Sequence, residues 1–171
     1  MLLRAITMAG GLAGAAGLSQ FPEYSQQYVQ RLGGAVDELS RFVAEFDADA
    51  TAVGMTRQAA LADLGQGGAM GARRAGTMAA TIARHDRLRA DLEELGRAGP
   101  FTRLYRAGHL GDAEIAAKAW AAYRPALPLT VEGASFAGLG FVAGMTGIGI
   151  VLSLLGRVFR RKRAAPELPV A

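Results

Sequence analysis

Gly133-Ala-Ser-Phe-Ala-Gly-Leu-Gly-Phe-Val-Ala-Gly-Met-Thr-Gly-Ile-Gly-Ile-Val-Leu-Ser-Leu-Leu-Gly156, followed at once by Arg157-Val-Phe-Arg-Arg-Lys-Arg163, decides the fold. Twenty-four residues without a charge form a helix of about 36 Å, enough to cross a hydrocarbon layer of ~30 Å with some tilt. The basic cluster of Arg157, Arg160, Arg161, Lys162 and Arg163 is the topology signal, because Lys/Arg-rich flanks stay in the cytoplasm. The expectation is a membrane protein, which removes most soluble-enzyme readings.

The net charge of +4 is unevenly spread. From Ser19 to Glu132 there are 13 Arg/Lys against 14 Asp/Glu, and the positive excess lies at Arg4 and in the tail. The middle of the chain therefore lacks the basic stripe that a nucleic-acid partner requires. Cysteine is absent, so disulfides, thiol catalysis and Cys-ligated metals are excluded. About 110 residues remain outside the apolar ends, the size of one domain, rich in Ala and Arg and poor in β-branched residues.

The N-terminal stretch Ala5 to Leu18 is also uncharged, built of Ala and Gly with Ile6, Met8, Leu12 and Leu18. It reads as a signal peptide with small-residue cleavage sites, or as a first transmembrane helix with Arg4 snorkelling and Phe21, Tyr24 and Tyr28 at the far interface. The retained helix is preferred, because Gly10 and Gly14 form a small-xxx-small face. Under either reading the middle lies across the membrane from the tail. In the second span Gly140 and Gly144 repeat that spacing, and Ala137, Gly147 and Gly149 add small surface. Seven glycines in this stretch imply tight helix packing, against the N-terminal segment, another copy or a larger complex.

Between the apolar ends, Val29, Leu32, Val36, Leu39, Val43 and Phe46 recur at three- and four-residue spacing, the seam of an amphipathic helix. Gly33-Gly34 interrupts it, marking close approach of a second helix or a hinge. Asp47 to Thr56 breaks the pattern, a short helix covers Arg57 to Leu64, and Gly65-Gln-Gly-Gly68 marks a loop. A long helix resumes near Gly71, with Met78, Ile82, His85, Leu88, Leu92 and Leu95 on its apolar side. Its other side carries i,i+4 pairs Arg87–Asp91, Arg89–Glu93 and Glu93–Arg97. The two long helices are expected to pair antiparallel. A last helix starts at the N-cap Asp112, carries Ile115, Ala119, Trp120 and Tyr123, and stops at Pro125. Pro125 to Pro128 forms a stiff link, and Thr130 is placed to cap the second span.

Catalytic signatures are missing. His85 falls on the seam as a hydrogen-bonded core residue, and His109 sits in a glycine-rich turn exposed to water. The serines show no nucleophile-elbow or Ser-x-x-Lys context, and the glycines at 65–68 lack the strand and the Gly-Lys-Ser/Thr of a phosphate loop. Glu132, at the mouth of the span, suits a helix N-terminus. No cofactor, metal, nucleic acid or small-molecule substrate is expected, and neither is an enzyme.

Gln20-Phe-Pro-Glu-Tyr-Ser-Gln-Gln-Tyr-Val-Gln-Arg-Leu-Gly-Gly-Ala-Val-Asp-Glu-Leu39, with Arg124-Pro-Ala-Leu-Pro-Leu-Thr-Val-Glu-Gly133, resembles the bacterial domain-of-unknown-function family 2937 over nearly the whole chain. That resemblance implies a small bacterial membrane protein with terminal hydrophobic segments and a helical middle.

The expected architecture is an all-α membrane protein: an N-terminal hydrophobic helix (1–20), an extracytoplasmic antiparallel helical hairpin domain (21–128), a C-terminal transmembrane helix (129–156) and a basic cytoplasmic tail (157–171). Its expected location is the bacterial inner membrane, with the middle periplasmic. Its expected role is a non-catalytic scaffold or accessory subunit in a homo-oligomer or larger membrane complex. Two alternatives stay open. One is a relative of the chain-length-determining polysaccharide co-polymerases, which share terminal spans and a Pro-x-x-Pro element but have a longer domain. The other is a small homo-oligomeric channel.

Overall fold

The structure, a computed structural model, describes residues 1–125 and 129–163, with side chains through Arg157. Every regular element among them is helical: α1 Leu2–Leu18, α2 Phe21–Ala52, α3 Arg57–Gln66, α4 Gly68–Gly96, α5 Pro100–Tyr105, a 3-10 turn Ala107–Leu110, α6 Ala113–Ala122 and α7 Val131–Arg163. Among the described residues two stretches are long and apolar enough to cross a membrane, the N-terminal run Leu2–Ala52 through its apolar start and Val131–Arg157. The chain divides into two compact units, one of Met1–Glu23 with Arg124–Ala171 and one of Tyr24–Tyr123.

The first unit is the pair α1 and α7. Thr130 caps α7, its hydroxyl accepting from the Gly133 amide at 3.0 Å. The helix does not stop at Gly156 but continues through the basic run to Arg163. Most of its large side chains face outward, among them Leu139, Val142, Ile150, Val151, Leu154 and Leu155.

The second unit has its own core. Tyr28, Leu32 and Val36 of α2 meet Leu88 and Leu95 of α4 and Ile115 and Ala119 of α6. Burying a Leu of this kind completely contributes about 1.5–3 kcal/mol. Val29, Leu39 and Leu92 pack against the edge of this cluster. Val43 and Ile82 are buried farther along, and Phe46 lines a groove with Leu64 and Met78. Side-chain pairings run in opposite directions along α2 and α4: Gln26 is joined to Arg103 just beyond α4, and Ser40 to His85. The core has three helices, since α6 closes what two amphipathic stripes alone would leave open.

Several local expectations are corrected. Helix α2 does not break at Asp47 but runs to Ala52. Ala50 is buried there, the Thr51 hydroxyl donates back to the Asp47 carbonyl at 2.7 Å, and Arg57 clasps the Asp47 carboxylate from α3. The turn instead needs Gly54, whose φ of +73° lies in the left-handed region. Gly33 and Gly34 do not mark a close approach: a Cβ at either would meet nothing within 4 Å, and α2 continues through both. The loop at 65–68 shrinks to Gly67, because α3 extends to Gln66 and α4 begins at Gly68, with φ +79°. Tyr28 is not at an interface; its side chain is fully buried in the second unit. Residues 126–128 of the proline link lie outside the described residues, as does the tail after Arg163.

Candidate functional site

The chemistry of the first unit is in its glycines. A Cβ built on Gly14 would fall on the carbonyl oxygen of Gly140, and one on Gly140 would fall on the carbonyl of Gly14. One turn away, a Cβ on Gly144 would strike the Gly10 carbonyl, and one on Gly10 would strike Ile148 with the Gly144 carbonyl at 3.2 Å. The pairs 10/144 and 14/140 share one antiparallel register, so small-xxx-small faces on both helices bring backbone directly against backbone. Any side chain at these positions would force the helices apart.

Gly11, which the spacing argument did not single out, belongs to the same contact. It is buried, and a Cβ there would lie 2.7 Å from Met145 Cγ and 2.8 Å from Phe141 Cε2. Its signal was present as the adjacent pair Gly10-Gly11, which widens the small face by one residue. Ala137 is half-buried. Gly147 points elsewhere: a Cβ on it would meet nothing within 4 Å. It lies on an exposed face of α7 with Ser135, Gly138, Leu139, Val142 and Thr146. Near the start of α7, Phe136 is fully buried and its ring lies 5.4 Å from that of Phe21. Glu132 is exposed in the first turn of α7. Arg157 is exposed, and α7 carries the backbone of Arg160, Arg161, Lys162 and Arg163.

Polar side chains of the second unit tie its helices together. Asp112 caps α6 by accepting from the Ile115 amide at 3.1 Å, and the same oxygen lies 3.3 Å from Arg84 Nη2. The Asp112 amide donates to the buried Tyr28 hydroxyl at 3.1 Å. Burial, chiefly, pushes the Tyr28 phenol above its usual range. One residue thus joins α2, α4 and α6. Glu114 bridges Lys118 at 2.6 Å and Arg84 at 2.7 Å, and these two cations hold its carboxyl down at about 2. Arg103 is buried; it donates to the Leu95 carbonyl at 3.2 Å and to Gln26 at 2.8 Å, and burial pushes its guanidinium down.

His85 sits where the seam placed it, buried between the Ser40 hydroxyl and the Asp86 carboxylate, each at 2.9 Å. The His109 side chain is partly exposed but also lies 2.7 Å from the Asp91 carboxylate. Arg87 turns toward Asp112 at 3.8 Å, and Arg89–Glu93 is the expected i,i+4 pair that forms, at 3.2 Å. Among the described residues no three His, Asp or Glu side chains converge into a metal-ligand set. These polar groups are engaged in holding helices together.

An all-helical chain with two membrane-length apolar helices, joined through glycine and flanking a separate helical unit, is the class that fold and site define. Within that class the chain belongs to the family described as protein of unknown function (DUF2937), which matches residues 2–161. The Gln20–Leu39 and Arg124–Gly133 motifs had pointed there. No curated protein and no solved structure matches the chain.

Proposed function

We propose that this protein is a non-catalytic scaffold or accessory subunit of the bacterial inner membrane. In this reading α1 and α7 span the bilayer, the unit 24–123 lies on the periplasmic side, and the basic tail is cytoplasmic. The observation that carries it is the glycine contact of Gly10 and Gly14 with Gly140 and Gly144. It consumes one face of each helix and leaves the other apolar faces outward, Leu3, Ile6, Leu12, Val142, Ile150 and Leu154 among them. Apolar surface of that extent is unfavourable in water and neutral in lipid. The exposed face of α7 that carries Gly138 and Gly147 offers a second helix of a partner, or of another copy, a close-approach surface.

Purification in mild detergent, followed by cross-linking and native mass spectrometry, tests the role. The expected result is a stoichiometric assembly, and an isolated monomer without partners would remove the scaffold reading. Topology is checked with reporters: one fused after Ala171 should be active only in the cytoplasm, and one inserted near Gly67 only outside. The reverse pattern would overturn the orientation.

A further inference from the structure

Three aromatic rings of the second unit stack into one cluster. Trp120 and Tyr123 lie 5.7 Å apart with planes inclined by 17°, and Tyr24 meets both edge-on, at 6.1 Å and 6.4 Å. Tyr24 packs against the buried core. Trp120 does not: it is the chain's single tryptophan and is 69 % exposed. On α6 the opposite face, Ile115 and Ala119, already fills the core. A rigid indole is therefore held outward on a platform of two tyrosines.

We propose that the Tyr24–Trp120–Tyr123 cluster is an anchor for the headgroup layer of a phospholipid bilayer, holding the helical unit down on the membrane surface. The proposal rests on the reading that α1 and α7 cross the bilayer. Two tethers in the chain favour lipid as the occupant. Tyr24 follows Phe21 by three residues within α2, a rise of about 4.5 Å, and Phe21 packs on Phe136 inside α7. Tyr123 precedes the first residue of α7, Val131, by eight residues. The cluster is thus tied through both of its chain ends to the segments that would enter the bilayer. Its composition suits that depth: indole and phenol have an apolar body and a polar tip, and both concentrate at membrane–water boundaries.

Because Trp120 is the only tryptophan, its fluorescence reports this site without any substitution. The full chain would be reconstituted in phosphatidylcholine vesicles carrying lipids brominated near the headgroup or near the midplane, and floated at alkaline pH. The expected result is flotation with the vesicles, more Trp120 emission lost to shallow than to deep bromines, and weak quenching by aqueous acrylamide. A chain that floats while Trp120 answers only to acrylamide overturns the anchor and leaves the spans standing. Protection from both quenchers means that protein covers the indole, and also overturns it. Stronger quenching from the midplane has the same consequence. A chain that fails to float removes the spanning helices and the anchor together.

Discussion

Glu114 shows how much of this molecule's electrostatics is spent on joining helices. Lys118, one turn along α6, and Arg84, on α4, both bond its carboxylate and hold its titration near 2, well under the ordinary 4.5. The folded state therefore binds its proton later than the unfolded chain as pH falls. The stabilisation is complete above the unfolded value of 4.5 and is lost as pH drops from there through about 2. Because Glu114 is well exposed, the effect on total stability is expected to be small, and the carboxyl itself is the place to measure it. A carbon-detected NMR titration should find Glu114 still ionised where most glutamates are half protonated. Lys118→Met should move it upward, with Arg84 keeping it below the ordinary range. Titration of the unsubstituted chain's Glu114 near 4.5 would mean that neither cation holds it.

At the scale of elements, the contact between α1 and α7 separates two kinds of glycine that look alike in sequence. Gly140 and Gly147 both sit in the same uncharged run, yet only the first has a backbone carbonyl where its Cβ would go. Gly140→Ala and Gly14→Ala should each destabilise the pair by about 1–3 kcal/mol, the usual cost of overpacking a site that cannot yield. Gly147→Ala should leave thermal unfolding in detergent unchanged, and its effect should fall instead on association with a partner. Circular dichroism melts of the three variants decide the point; equal loss at Gly140 and Gly147 would put the crossing elsewhere. The spacing of Gly10, Gly14, Gly140 and Gly144 was legible because a four-residue repeat is a helix property. What could not be read was the facing of Gly147, which depends on where the two helices touch first. The same limit explains Gly33-Gly34, where burial of Leu32 and Val36 carries the helix through, and Tyr28, an aromatic that looked interfacial but begins the seam four residues before Leu32. The partner of His109 was out of reach for a related reason: Asp91 stands eighteen residues away, beyond any local pattern.

For the whole molecule, the division into two units has a physical consequence. The unit Tyr24–Tyr123 holds 12 Arg/Lys and 12 Asp/Glu. It keeps a core of its own, from Tyr28 and Leu32 through Leu88 and Leu95 to Ile115 and Ala119. Two of its helix N-termini are also capped from within the unit, α3 by Thr56 on Ala59 and α6 by Asp112 on Ile115. None of these contacts involves α1 or α7. A fragment of residues 24–123 should therefore fold without detergent, give a helical far-ultraviolet spectrum and unfold in one cooperative step, with a stability on the order of 5–15 kcal/mol for a domain of this size. Asp112→Ala should lower that stability by about 1–2 kcal/mol, since it removes the cap of α6 and the acceptor for Arg84 together. A broad, non-cooperative melt, or a fragment that aggregates unless α1 and α7 are restored, would show that the core depends on the apolar pair. The two units would then fold as one, and the three-helix core could not be treated as an independent domain.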